Sequence, residues 1–99
     1  MYNKRVEITF DPAKNERNIR ERGLPFERAA EFDFESASYK TEVRKGEVRR
    51  IAVGYLDGRL HILCYIPNEG DIRVISFRRA NEREAKRYGK PKKINEPGR

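Results

Sequence analysis

The amino-acid sequence predicts one α+β domain, with its helices early and an antiparallel meander after them. Three observations point there. "KRVEITF" (4–10) alternates polar and apolar residues and runs into an Asp-Pro pair, a strand followed by a helix start. Residues 12–35 carry helical signals and the first internal glycine, Gly23. From residue 38 onward, alternating stretches are separated by short glycine-bearing turns, which is the pattern of hairpins. Helices first and hairpins later belong to the α+β class.

Each element has its own signal. In the first strand Val6, Ile8 and Phe10 share one side. Asp11 serves as N-cap and Pro12 takes the favoured first helical position. "PAKNERNIRER" then reads as a polar helix ending at Gly23, with Ala13 and Ile19 as its main buried candidates. "LPFERAAEFDFE" reads as a second helix that packs Phe26, Ala29, Ala30 and Phe32 or Phe34 inward. A short strand is expected near "SYKTEV" and a turn at Gly46. "EVRRIAVGYL" and "RLHILCYI" form a hairpin about Asp57-Gly58, and "PNEGD" turns the chain into a last strand, "IRVISFRR". Asn81 caps a short helix, "EREAKRY". The domain is expected to span 1–89, and 90–99 reads as a basic, disordered tail.

Composition narrows the functional classes. The chain has 99 residues, of which 39% are charged and 36% hydrophobic, and its formal net charge is +7. A surplus of that size suits a polyanionic partner, nucleic acid above all, although it also serves plain solubility. The surplus is local: residues 78–99 hold nine basic and three acidic side chains. With one histidine and one cysteine, a dense Cys/His metal site is excluded and no internal disulfide can form. Cys64 lies in "LHILCYI" and reads as a buried small hydrophobe, and His61 in the same strand reads as structural. No signal peptide or membrane span is expected, and the single thiol suits a reducing cytoplasm.

The central strands carry apolar residues on both faces, so one face is expected against the helices and the other at a site or partner. Glu47 and Arg49 are two apart and project from one face. Arg73, Ser76 and Arg78 lie on the last strand, where strict alternation cannot place all three together without a bulge. Tyr88 follows on the last helix. A carboxylate, arginines and a serine suit metal-free RNA cleavage: the 2′-hydroxyl is the nucleophile, a base takes its proton, and guanidinium groups stabilise the charge on phosphorus. Glu47 is the candidate base, and Tyr88, Lys45 or Lys14 the candidate acid. On spacing alone a surface charge ladder is the favoured account of the Glu47–Arg49 face, and a solvated basic helix accounts equally for the arginine cluster.

Three segments carry a resemblance: "FDPAKNERNIRERGLPFERAAEFDF", "GEVRRIAVGYLDGRLHILCYI" and "IRVISFRRANEREAKRY". In this order they resemble the BrnT family of toxins from type II toxin–antitoxin systems, over about residues 8 to 88. The resemblance implies a RelE-like fold, β-α-α and then a meander with a short C-terminal helix. It implies metal-independent RNA cleavage without a cofactor, and translation inhibited as a result. A BrnA-like antitoxin would neutralise the toxin and contact DNA on its behalf, in a hetero-oligomer containing toxin dimers. Carried over as catalytic are Glu47, Arg49, Arg73, Ser76, Arg78 and Tyr88, and as RNA-binding Lys14, Lys45, Arg79 and Arg83. The family often reads Lys-His-Gly where this chain has Glu21-Arg22-Gly23, so positive charge is kept at Arg22 without a group titrating near neutrality. Two alternatives stand beside this reading: a basic module that binds RNA or protein without cleaving, and an inactive toxin remnant.

Overall fold

The structure, a computed structural model, describes residues 6–88. Strand β1 (Ile8–Phe10) leads into helix α1 (Pro12–Arg22), and a 3-10 helix follows at Phe26–Glu31. Strands β2 (Ser38–Arg44), β3 (Glu47–Leu56), β4 (Arg59–Asn68) and β5 (Asp71–Arg79) then run as a meander into helix α2 (Glu82–Arg87). The five strands make one sheet in the order β1-β5-β4-β3-β2, with β1 parallel to β5 and every other pair antiparallel. The expected tail at 90–99 lies outside the described residues.

Local chemistry explains the elements. The Asp11 side chain accepts from the Ala13 amide, and Gly23 closes α1 in the left-handed region at φ 65°. Each hairpin turns on a residue and a glycine that both have positive φ: Lys45-Gly46, Asp57-Gly58 and Glu69-Gly70. Such two-residue turns match the twist of the flanking strands. The capping box of α2 is complete, because Asn81 accepts from the Glu84 amide and Glu84 accepts from the Asn81 amide.

Two expectations about the helices are corrected. The second helix is six residues of 3-10 helix rather than an α-helix, and Phe32 already has extended backbone. Its three-residue turn puts Phe26, Ala29 and Phe32 on one buried stripe, while Ala30 is exposed. Close approach to the sheet is possible because β3 has Gly54 beneath it. A Cβ there would lie 2.8 Å from the Phe32 ring.

The second correction concerns α1. Ala13 and Ile19 face outward, and its buried residues are Asn15 and Asn18. Asn18 Nδ2 donates to the carbonyls of Leu24 and Phe77, both at 2.9 Å, and Asn15 Oδ1 accepts from the Phe26 amide at 2.7 Å. α1 is thus held to the 3-10 segment and to β5 by satisfied polar contacts rather than by an apolar stripe.

The sheet has a cluster of packed apolar residues on each face. One contains the 3-10 helix, Ala52, Leu63, Val74 and Phe77. The second contains Val53, Leu60 and Ile62, covered by Ala80, Ala85 and Tyr88. α2 therefore covers only one end of the second face, and the rest of that face is where the candidate site lies.

Candidate active site

Register decides which side chains share the second face. Ile62, Cys64 and Ile66 alternate along β4, and their partners on β5 are Arg78, Ser76 and Arg73. The alternation conflict is resolved by a bulge: Cys64 pairs with Ser76 but Tyr65 pairs with Val74, leaving Ile75 as the extra residue. Arg73, Ser76 and Arg78 consequently project to one side. On β3 the same side carries Ile51, opposite Cys64, and Val53, opposite Ile62. Glu47 and Arg49 continue that series, so the predicted strand residues share a face.

They do not all meet. One step beyond the Arg50–Tyr65 pair, Arg49 stands beside Ile66, which faces Arg73. Arg49 and Arg73 are thus row-mates two strands apart, roughly 10 Å. Ser76 lies one row further along, opposite Cys64, and Arg78 one row beyond that, opposite Ile62. Glu47 is six residues from Val53, so it stands roughly 20 Å along the strands from the Arg78 row. The face carries one group of Glu47, Arg49, Arg73 and Ser76, and a second at the far end with Arg78 and Tyr88.

Electrostatics differ between the groups. Arg49 Nη2 lies 3.4 Å from Glu47 Oε1, a long contact, and Arg49 Nε is buried without a hydrogen-bond partner among the described residues. Arg73 is exposed. Burial pushes the Cys64 thiol up, and the adjacent Arg49 guanidinium offsets this only in part, so Cys64 stays protonated at neutral pH. At the far end Arg78 is engaged by Glu84, with Nη1–Oε1 2.9 Å and Nη2–Oε2 2.7 Å. Tyr88 packs against the Val53, Leu60 and Ile62 cluster.

The remaining candidates scatter. Lys14 lines a cavity of about 190 Å³ together with Ser76, which places it across the β5 edge from the first group. Lys45 sits at the tip of the β2–β3 hairpin with φ 52°. Arg83 is exposed on α2. Arg79 pairs with His61 and so belongs to the opposite, helix-covered face.

Sequence reasoning missed Glu84 as the partner of Arg78, although Asn81-x-x-Glu84 is a legible capping signal. It also set His61 aside. Arg59, His61 and Leu63 alternate on β4, and that parity alone places the imidazole on the same side as the core residue Leu63. His61 is 5% exposed, and its Nδ1 lies 2.8 Å from the Arg59 carbonyl.

Comparison with known proteins agrees with this architecture. A family model described as "Ribonuclease toxin, BrnT, of type II toxin-antitoxin system" matches residues 10–84. The crystal structure of the Brucella abortus ribonuclease toxin BrnT is similar, with a TM-score of 0.59 at 28% sequence identity, covering 78% of this chain and 99% of that one. No curated protein matches. With three quarters of its length under the family model and a shared mixed α+β architecture, the chain belongs to the BrnT family of ribonuclease toxins of type II toxin–antitoxin systems.

Proposed function

We propose that the chain is a metal-independent endoribonuclease with a RelE-like fold, whose chemistry takes place on the open part of the second sheet face. The observation that carries this reading is the row of Arg49 and Arg73 beside Ser76, with Glu47 at its rim and the Arg49 Nε unpartnered in a buried position. Guanidinium groups with spare donors are what a phosphorane-like transition state requires.

In this mechanism the Glu47 carboxylate takes the proton of the RNA 2′-hydroxyl. The 2′-oxygen bonds to phosphorus and the bond from phosphorus to the 5′-oxygen breaks. Arg49 and Arg73 lie against the non-bridging oxygens, where charge accumulates, and the Ser76 hydroxyl donates to one of them. Lys14 returns a proton to the departing 5′-oxygen, which its shared cavity with Ser76 favours over Lys45 at the hairpin tip and the packed Tyr88. The products are a 2′,3′-cyclic phosphate and a 5′-hydroxyl end. Arg78, about two rows from the Arg49–Arg73 pair, then holds the strand rather than the scissile phosphate, alongside Arg79 and Arg83.

The same reading extends to biology. Cleaved RNA stops translation in the cytoplasm, a BrnA-like antitoxin covers the basic face and supplies the contact with DNA, and toxin dimers sit within the hetero-oligomer. The toxin domain is assigned by sequence to 1–89, with 90–99 as a basic extension. The test is cleavage of RNA in EDTA by the full chain. Cyclic-phosphate ends are expected, with Arg49→Ala reducing the rate by about 10²–10³ and Glu47→Gln by about 10²–10⁴. RNA that is bound but never cut overturns the enzyme and leaves a binding module or an inactive toxin remnant.

A further inference from the structure

One cleft lies away from the proposed catalytic face. It is a cavity of about 510 Å³ at the end of the sheet, between the close of α1, the β3–β4 turn and the end of β5. Five arginines line it: Arg22, Arg28, Arg59, Arg78 and Arg79. Asp57 is the one carboxylate among its lining residues.

The charge there is not balanced from within. Arg28 is engaged with Glu31 at 2.6 Å and with Asp57 at 3.0 Å. Arg78 is engaged with Glu84. Arg22 donates to a neutral acceptor, Asn18 Oδ1, at 2.8 Å. Arg59 and Arg79 have no carboxylate partner among the described residues and are exposed. Three guanidinium groups without counter-charge around one concavity repel one another, and a bound anion relieves that repulsion.

The walls narrow the kind of anion. Beside the guanidinium groups the cleft has an apolar part, Leu24 and Leu56, and a neutral imidazole, His61. His61 Nδ1 is taken up by the Arg59 carbonyl, so Nε2 is the ring nitrogen left to accept a hydrogen bond. A ribonucleotide offers one feature for each wall: a phosphate, a flat apolar base face and an N–H donor on the base edge. An acidic peptide offers carboxylates and amide donors but, from its acidic side chains and backbone, no flat base face. The cavity is also of the size that holds a small organic group. Arg78 belongs by register to the second face yet lines this cleft, so the two regions are continuous around the end of β5.

The geometry points to a second phosphate-binding subsite, in which Arg22, Arg59 and Arg79 hold the backbone of the same single-stranded RNA at nucleotides away from the scissile bond. This rests on the proposed reading that RNA is the substrate, and deepens it by giving the strand a path across the Arg78 end of the sheet.

The experiment is fluorescence anisotropy on the full chain with a labelled 12-nucleotide 2′-O-methyl RNA, which cannot be cleaved, titrated at several salt concentrations. An Arg59→Gln/Arg79→Gln variant with an unchanged melting temperature is expected to bind at least fivefold more weakly. Losing two phosphate contacts should also lower the slope of log affinity against log salt by about 1.4. Should the variant not fold, arginine modification of the parent by phenylglyoxal takes its place: RNA is expected to protect Arg59 and Arg79. Unchanged affinity and slope, or equal modification with and without RNA, overturns the subsite. Protection by poly-glutamate but not by RNA does so as well. Cleavage of unmodified RNA separates the two readings. A parent that binds through the cleft but cuts nothing keeps the subsite and loses the ribonuclease. A parent that cuts RNA with the cleft irrelevant does the reverse.

Discussion

Arg78 and Glu84 meet fork to fork, two parallel hydrogen bonds of 2.9 and 2.7 Å joining the end of β5 to the first turn of α2. Glu84 Oε1 also accepts from the Asn81 amide at 3.0 Å. One carboxylate therefore closes a helix cap and anchors an arginine. The Arg78 fork, followed by the cap bond, holds the Glu84 carboxyl well below the usual range, at about 2.

Replacing Glu84 with glutamine should lower the melting temperature at pH 7 by several degrees, because losing the charged partner of Arg78 is worth about 1 kcal/mol while the glutamine oxygen still accepts from the Asn81 amide. The folded value lies below the ordinary carboxylate value, so the parent holds this stabilisation above about pH 4.5 and loses it as pH falls towards 2. Thermal melts at pH 7 and pH 3 check both statements. The gap between parent and variant should be widest at pH 7, narrower at pH 3, and should close only as pH approaches 2.

Asn18 replaced by alanine leaves the Leu24 and Phe77 carbonyls without their shared donor in a buried place. The expected cost is about 2–4 kcal/mol, measured by urea unfolding at pH 7. A cost under about 0.5 kcal/mol would mean that α1 is held by something else.

Burial lowers the His61 pKa, with the Arg59 carbonyl acting in the opposite sense. The unfolded chain then binds a proton more readily than the folded one. Stability should be full above the ordinary value of about 6.5 and decline as pH falls below it. His61→Phe keeps a ring beside Phe77 and should remove the decline between pH 6.5 and 5 in denaturant titrations. A parent whose stability is flat over that range would contradict the assignment.

Much of the meander was legible because its turns and its apolar alternation are local properties. Asp57-Gly58 predicts its hairpin, and the β3 and β4 stretches were placed by parity. What escaped depended on partners far away in sequence. Asn15 and Asn18 look like surface residues of a polar helix until the Phe26 amide and the Phe77 carbonyl are brought to them. The stretch from Phe26 has apolar residues three apart, which suits a 3-10 turn as well as an α-helix, and only the sheet beneath decides. The candidate site was half legible. Its residue types were found, and so was the conflict over Arg73, Ser76 and Arg78, but the bulge that resolves it at Ile75 leaves no mark in composition.

Gly54→Ala tests the close approach over β3. The new methyl would stand 2.8 Å from Phe32 Cζ, 2.9 Å from Ala37 Cβ and 3.2 Å from the Asp33 carbonyl oxygen. Two of these atoms belong to tightly packed neighbours, so a destabilisation of about 1–3 kcal/mol is expected. Equilibrium unfolding measures it, and a neutral result would show that the 3-10 segment slides easily on the sheet.

The parallel pairing of β1 has a consequence for synthesis. Ile8 pairs with Ile72, whereas every other strand pairs with its neighbour across a two-residue turn. On the ribosome the first strand is made first but must wait for the last strand to emerge before it has anything to pair with. Until then the sheet lacks one edge, and α1 lacks the Phe77 carbonyl that holds it. A nascent chain is thus kept from its finished form until translation of the domain is almost over, which delays the completed sheet by the order of its own strands.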